Sequence, residues 1–414
     1  MLADAVPLYP LYALLFSAHG LSDAQISALL AIWSLTSVVA EVPTGALADR
    51  FSRTGSMAAG GLAQALAYVL WTAFPGFGAF AAGFVLWGVG GTLVSGAVEA
   101  WLYDSLVELG EPERFRRSYG RLDACELLAQ IPAAVGATVL PLGGFELVGW
   151  ASVATCLGAA AVAARLPEPP RHDPPANTDD DVSGDAEQGD VATGGTATDG
   201  TATDDTATED GQDELGYVAT LRAGVVAAAR TPGVPVALLV VALLTSLDNI
   251  EEYFGLLAED WHVPVVWVPL AVLGIPLAGA AGALVAARLR DTWATALLPA
   301  GVALFAVAGW WAQPAGLALV AVFYAVYRGV LVVAEARLQE RITSGTRATV
   351  TSIAGVGTEL AGLVVFAAWA VAGLPAVLVL AVVVAFAVTP GLRSRNRVGP
   401  RSVRRHSTGE GTRG

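Results

Sequence analysis

Gly45-Ala-Leu-Ala-Asp49-Arg50-Phe-Ser52-Arg53-Thr54 sets one carboxylate and two guanidinium groups between two long apolar runs, residues 23–45 and 55–74. At 1.5 Å per residue, a run of about 20 residues crosses the ~30 Å hydrocarbon layer of a bilayer. A short charged turn between two such runs therefore reads as a loop joining two transmembrane helices at one water interface. Working outward, further runs lie at 2–18, 79–104, 119–141 and 145–165, and then at 235–257, 264–287, 293–312, 315–337, 348–372 and 374–391. Six runs precede a long polar interval and six follow it. The expectation is an all-α membrane protein of about twelve transmembrane helices in two six-helix bundles. Leu2 to Ala18 gives only about 25 Å of helix, with no basic region before it and no cleavage site after it, so it does not read as a signal peptide. Its shortness predicts a true start upstream of Met1.

Composition agrees: 55% of the 414 residues are hydrophobic and 14% charged, beyond the ~45–50% apolar content of soluble domains. Most of the formal net charge of -14 sits in Asp173 to Glu214, a tract rich in Asp, Thr, Gly and Ala that repeats Ala-Thr-Asp and offers nothing to bury. The chain divides accordingly into a first bundle at 1–165, an acidic disordered linker at 166–220, a second bundle at 221–391 and a basic tail at 392–414. Cys125 and Cys156 fall inside predicted helices as small apolar packing residues. There is no Walker-type phosphate loop, the four histidines are scattered, and no nucleophile–base arrangement or metal-ligand spacing emerges. An enzyme, an ATP-driven pump, a cofactor and a nucleic-acid partner are all disfavoured; the basic tail suits anionic lipid head groups.

Arginine placement tests the helix count independently. Arg50 and Arg53, Arg114 to Arg121, Arg165 to Arg230, Arg288 and Arg290, Arg337 to Arg347 and the tail all fall at even-to-odd connections or the end of the chain. The opposite connections carry no Arg. By the positive-inside rule, both termini and the linker are cytoplasmic in a multi-pass plasma-membrane protein. The halves also match locally: Gly45 to Arg53 aligns with Gly282 to Arg290, and Glu99-Ala-Trp-Leu-Tyr-Asp104 with Glu335-Ala-Arg-Leu-Gln-Glu340, as internal duplication requires.

The Gly45–Thr54 segment resembles the loop signature of the major facilitator superfamily, Gly-x-Leu-Ala-Asp-Arg-x-Gly-Arg-Arg between the second and third helices. Glu41-Val-Pro-Thr-Gly45 and Ser95-Gly-Ala-Val-Glu99-Ala-Trp-Leu-Tyr-Asp104 are similar to prokaryotic, drug/proton antiporter-like members. The resemblance implies a secondary transporter that works by alternating access. It also implies a latch of Gly45, Asp49, Arg50, Arg53 and Asp104, with Asp49 facing the start of helix 11 and Arg53 paired to Asp104. Without the resemblance, Arg50 and Arg53 satisfy the positive-inside rule and Asp49 neutralises them. Ser52 and Thr54 depart from the pattern's Gly and second basic residue. Ala286 stands where the second half would carry its Asp, leaving Arg288 and Arg290 alone there. Helix 4 has no buried Arg, and Pro141-Leu-Gly-Gly144 keeps only a remnant of the antiporter signature of helix 5.

Ionisable groups deep in a bilayer cost at least ~2.5–3.5 kcal/mol and so mark cavities or partners. Asp248, Glu251 and Glu252 in helix 7 have spacings of three and four, which on an α-helix puts them on one side; adjacent buried carboxylates raise one another's proton affinity. Arg328, midway along helix 10, needs a counter-ion, and Asp248 and Glu359 of helix 11 are available at similar depth. Tyr12 and Tyr327, with Tyr9 and Tyr324, are candidates to line a central cavity. Glu41, Glu99, Asp104, Asp123 and Glu126 lie toward the arginine-rich helix ends, where they would pair with loop arginines. The reading is a monomeric carrier of a small-molecule substrate, driven by protons and directed outward. Uptake or facilitated diffusion, and a non-transporting receptor with the carrier fold, remain the alternatives.

Overall fold

The computed structural model describes residues 4–140, 144–170, 233–286, 291–341 and 347–393. Every regular element among them is helical. The first span differs from the expected 2–18: a 3-10 turn, Tyr9–Leu11, leads into α1 (Tyr12–Ala18), and no helix precedes it among the described residues. Pro7 and Pro10 supply the reason, because proline lacks the N–H that a helix interior needs and is tolerated only in its first turn. Next come α2 (Asp23–Arg50), α3 (Arg53–Ala73), α4 (Phe77–Glu108), α5 (Phe115–Val139) and α6 (Phe145–Ala163).

The start of α2 is set by a capping box in which the Ser22 hydroxyl accepts from the Gln25 N–H and the Gln25 side chain accepts from the Ser22 N–H. Its far end corrects the sequence reading. The helix does not stop at Gly45 but continues to Arg50, so most of the quoted segment is helical and the turn shrinks to Phe51 and Ser52. Ala-Leu-Ala are strong helix formers and nothing breaks them. Ser52 then caps α3, its hydroxyl accepting from the Gly55 N–H at 2.9 Å.

In the second half, α7 is composite: Val234–Ser246, a 3-10 stretch Leu247–Tyr253, and Phe254–Asp260. A 3-10 turn Val265–Trp267 enters α8 (Val268–Ala286), followed by α9 (Asp291–Trp311) and α10 (Gly316–Arg341). The final stretch Arg347–Arg393 is bent at Ala372 and at Gly373, whose φ of 59° and ψ of -143° suit glycine alone. It therefore comprises α11 (347–371) and α12 (374–393).

Among the described residues, nine helical stretches are long and apolar enough to cross a membrane, the last of them holding both α11 and α12. With the less apolar α3 and the short α1, the helices make two sets of six. In the first set α3 packs between α4 and α6, and α2 lies on α4; in the second, α10 packs on α8 and α9. Close approach explains particular glycines. A Cβ on Gly60 would stand 2.6 Å from the Gly90 carbonyl oxygen, and one on Gly282 would collide with the Ala325 carbonyl, so α3–α4 and α8–α10 both need hydrogen at these positions. The sets meet where α2 crosses the α11–α12 stretch and α5 lies along α8. A continuous apolar core, including Phe16, Phe84, Tyr253 and Phe366, runs through both.

Candidate functional site

The 3-10 stretch of α7 forms where Ser246 and Asn249 offer the backbone alternative hydrogen bonds. The Ser246 hydroxyl donates to the Leu243 carbonyl at 2.8 Å, and the Asn249 amide donates to the Ser246 carbonyl at 3.1 Å. With three residues per turn rather than 3.6, positions i and i+3 eclipse. Asp248 and Glu251 therefore share a face and Glu252 is turned roughly a third of a revolution away. This corrects the expectation of three carboxylates on one side, which assumed an α-helix.

Asp248 and Glu251 converge on α10. The Tyr324 hydroxyl lies 2.7 Å from Asp248 Oδ1 and 2.9 Å from Glu251 Oε2, and Arg328 Nη1 donates to Asp248 Oδ2 at 2.5 Å. Tyr324 and Arg328 are four apart and so stand one above the other on the helix. Gly279 of α8 makes room, since a Cβ there would approach the Tyr324 ring to 2.7 Å. A hydroxyl has one proton, so it donates fully to only one of the two carboxylates; the other contact becomes a hydrogen bond when that carboxyl itself carries a proton. The pair is not sealed, with the Arg328 side chain 36% and Asp248 30% exposed. The Tyr327 hydroxyl is buried beside Asp248 without a hydrogen bond of normal geometry.

Glu252 and Glu359 face the other set of helices. Tyr12 of α1 donates to Glu252, the Ser27 hydroxyl of α2 meets the Tyr253 hydroxyl at 2.8 Å, and the Ser34 hydroxyl donates to Glu359 at 2.5 Å. Glu359 is thus Ser34's partner and not Arg328's. Tyr253 is braced by Trp369, with ring centroids 4.1 Å apart and planes 12° from parallel. Ser27 and Ser34 lie in the first half of α2, so these crossings join the two sets away from the end that carries Arg50. Beside them a pocket between α1, α5, α7 and α8 is lined by Tyr9, Tyr12, Gln130, Glu251, Glu252 and Phe254 among others.

At the arginine-bearing end, Arg53 donates to Asp104 and, at 2.8 Å, to the Ala100 carbonyl, and Asp104 is 1% exposed. Glu168, five residues past α6, caps α3: its carboxylate accepts from the Arg53 N–H at 2.7 Å, the Thr54 N–H at 3.0 Å and the Ser52 and Thr54 hydroxyls at 2.8 and 2.5 Å. Partial burial pushes this carboxyl up, but the hydrogen bonds from Thr54, Arg53 and Ser52 outweigh it and bring it down to about 2. The Trp101 indole donates to the Pro167 carbonyl at 2.9 Å and secures the same segment. Arg50 is exposed, its guanidinium 5.9 Å from the Phe51 ring centroid, and Gly45 is an interior residue of α2. The side chains of Asp49 and of residues 347–356, and Arg288 and Arg290 altogether, lie outside the described residues, as do the whole of the acidic tract and residues 394–414 of the tail.

The family model described as the Major Facilitator Superfamily matches residues 1–271. The chain belongs to that superfamily. It is accordingly a membrane transporter and not an enzyme. Among solved structures, this superfamily member is similar to the nucleoside transporter NupG, with a TM-score of 0.66, 16% identity and 95% of this chain covering 97% of that one. It is similar also to a bacterial homologue of the human lysosomal transporter Spinster, at TM-score 0.62 and 15% identity over 95% and 94% of the chains. A D-xylose–proton symporter follows at 0.61 and 13% over 94% and 95%. At such identities the likeness shows the fold. No curated protein sequence matches the chain.

Several residues of this superfamily member's site escaped the sequence reading. Ser27 and Ser34, seven apart on one face of an apolar helix, carried a usable periodic signal. Glu168 carried none, because its role depends on where α6 ends relative to the start of α3.

Proposed function

We propose that this superfamily member is a proton-coupled exporter of a small organic solute, with its arginine-bearing end in the cytoplasm and its acidic tract tethering two bundles on that side. The observation that carries the reading is the Tyr324 hydroxyl shared by Asp248 and Glu251 while Arg328 pairs with Asp248. The donor count alone favours a proton on one carboxyl of this group. Delivery of that proton to Asp248 would weaken its hold on Arg328, and a released guanidinium is available to the solute. Glu252 extends the same chemistry to the bundle interface, because its bond to Tyr12 depends on what the carboxyl carries. Loss of the Tyr12, Ser27 and Ser34 crossings would let the far end open between the bundles, in alternating access, while Arg53 and Asp104 keep α3 and α4 of the first bundle together. The export direction and the antiporter-like subtype rest on the sequence resemblance.

The test is proton movement in liposomes that contain the purified protein and a trapped pH dye. A panel of solutes is added and Asp248→Asn is run in parallel. A solute that drives proton flux in the parent and not in the variant supports coupling at Asp248, and reversing the pH gradient assigns direction. Solute movement with no proton movement would leave a facilitator.

A further inference from the structure

We propose that the groove between α9 and α12 holds one acyl chain of an anionic glycerophospholipid, with its phosphate on Arg393. The groove runs past Thr295, Pro299, Ala303 and Ala306 on α9 and Phe386 and Arg393 on α12. Its lining is apolar apart from Thr295 near the start of α9 and Thr389 and Arg393 near the end of α12, where Arg393 is the exposed last residue. The principal contacts between the two halves are made through α1, α2, α5, α7, α8 and the α11–α12 stretch, and the principal contacts of α9 are with α10 and the α11–α12 stretch of its own half, so its other face points to lipid.

Two tryptophan levels fix the depth. Trp293 is 55% exposed near one end of α9 and Trp310 is 88% exposed near the other. Seventeen residues of α-helix separate them by about 26 Å, close to the hydrocarbon thickness, as indoles at both interfaces would be. Thr295 lies two residues from Trp293, which puts Arg393 at head-group level. From Thr295 to Ala306 the groove descends about 16 Å, the depth of one leaflet. The occupant that matches is a chain one leaflet long with a negative charge at its top. The local sequence is also basic on balance, with Arg395 and Arg397 following Arg393 against Asp291 at the start of α9.

The experiment titrates the full-length, lipid-stripped protein in detergent with phosphatidylglycerol and phosphatidylcholine of identical chains and counts bound lipid by native mass spectrometry. One phosphatidylglycerol should be retained at roughly fivefold lower concentration than phosphatidylcholine, the effect of about one surface Arg. Arg393→Gln should erase the preference, and Ala303→Trp, which fills the exposed wall of the groove, should weaken both lipids alike. Glycerol phosphate without chains should not compete. Equal retention of the two lipids, indifference to Ala303→Trp, or a preference that survives Arg393→Gln and disappears on removal of residues 394–414 would each overturn the assignment. Both substitutions are on the outer face, and an unchanged unfolding midpoint checks that each variant is folded.

Discussion

The two halves of the chain share an architecture but keep their charges at different depths. In the first, the ordered polar chemistry is at the arginine-bearing end, where Arg53 holds the buried Asp104 and Glu168 caps α3. In the second, it is half-way along the helices, where Asp248, Glu251, Tyr324 and Arg328 form one group. The segments Gly45–Arg53 and Gly282–Arg290 match in sequence, yet only the first has an acid, with Ala286 at the equivalent second position. On the proposed function the two groups have different jobs: charges at the helix ends fasten helices to one another, and charges midway along apolar helices, costly to place in a bilayer, serve proton and solute chemistry. Breaking the first kind should act mainly on stability, and breaking the second on transport.

The largest expected effect is at Arg53. Arg53→Ala leaves the Asp104 carboxylate buried and unpaired, which should cost about 3 kcal/mol of folding stability. The midpoint of thermal unfolding in detergent reads the loss, and Arg53→Ala with Asp104→Ala together should recover most of it. If the single variant unfolds like the parent, the contact is not structural and the contrast between the halves fails. Next comes Asp248→Asn. That pair is about one-third exposed, so the full penalty for a buried pair does not apply; about 2 kcal/mol, or roughly thirtyfold, in solute-driven proton flux is expected with little change in unfolding. A stability loss as large as that of Arg53→Ala would make Asp248–Arg328 a structural pair after all.

Tyr12→Phe should change stability little and act on transport through the balance of conformations. It removes one bundle-crossing hydrogen bond, worth about 1 kcal/mol or some fivefold in the equilibrium, in favour of opening at the end away from Arg50. Cysteine accessibility from either face of a proteoliposome measures it, and Ser27→Ala should move the balance the same way. The smallest effect is at Glu168, where Glu168→Gln keeps an acceptor but loses charge at a helix N-terminus, below about 1 kcal/mol. Its pH dependence is more telling. Because the folded carboxyl is held down at about 2, its contribution is complete above the ordinary glutamate range and fades as pH falls from about 4 through 2. The parent should lose stability relative to Glu168→Gln across that window, and parallel curves would remove Glu168 from the cap.

Helix existence was legible because hydrocarbon thickness imposes a length that apolar runs either meet or miss, and eleven of the twelve runs could be placed within a few residues. The Arg53–Asp104 pair was expected only through the resemblance of Gly45–Thr54 to the superfamily's loop signature, since no local spacing relates the two residues. The arrangement of the acidic group was not legible. Spacings of three and four in Asp248, Glu251 and Glu252 point to one face on an α-helix and to two on a 3-10 helix, and residues outside the motif decide which backbone forms. Of the two counter-ions offered for Arg328, the structure takes Asp248 and turns Glu359 to Ser34, because depth along a helix follows from counting residues but rotation about its axis follows from packing.

The sequence by itself therefore determined where the apolar helices lie, which helix ends are basic, and which ionisable residues fall midway along those helices, since each is a linear property of residue order. Only the tertiary structure decided that Tyr324 joins Asp248 to Glu251, that Ser34 takes Glu359, and that Glu168 returns to cap α3. Those contacts span 73 to 325 residues of chain and depend on helix rotation and packing distance, quantities that no local pattern encodes.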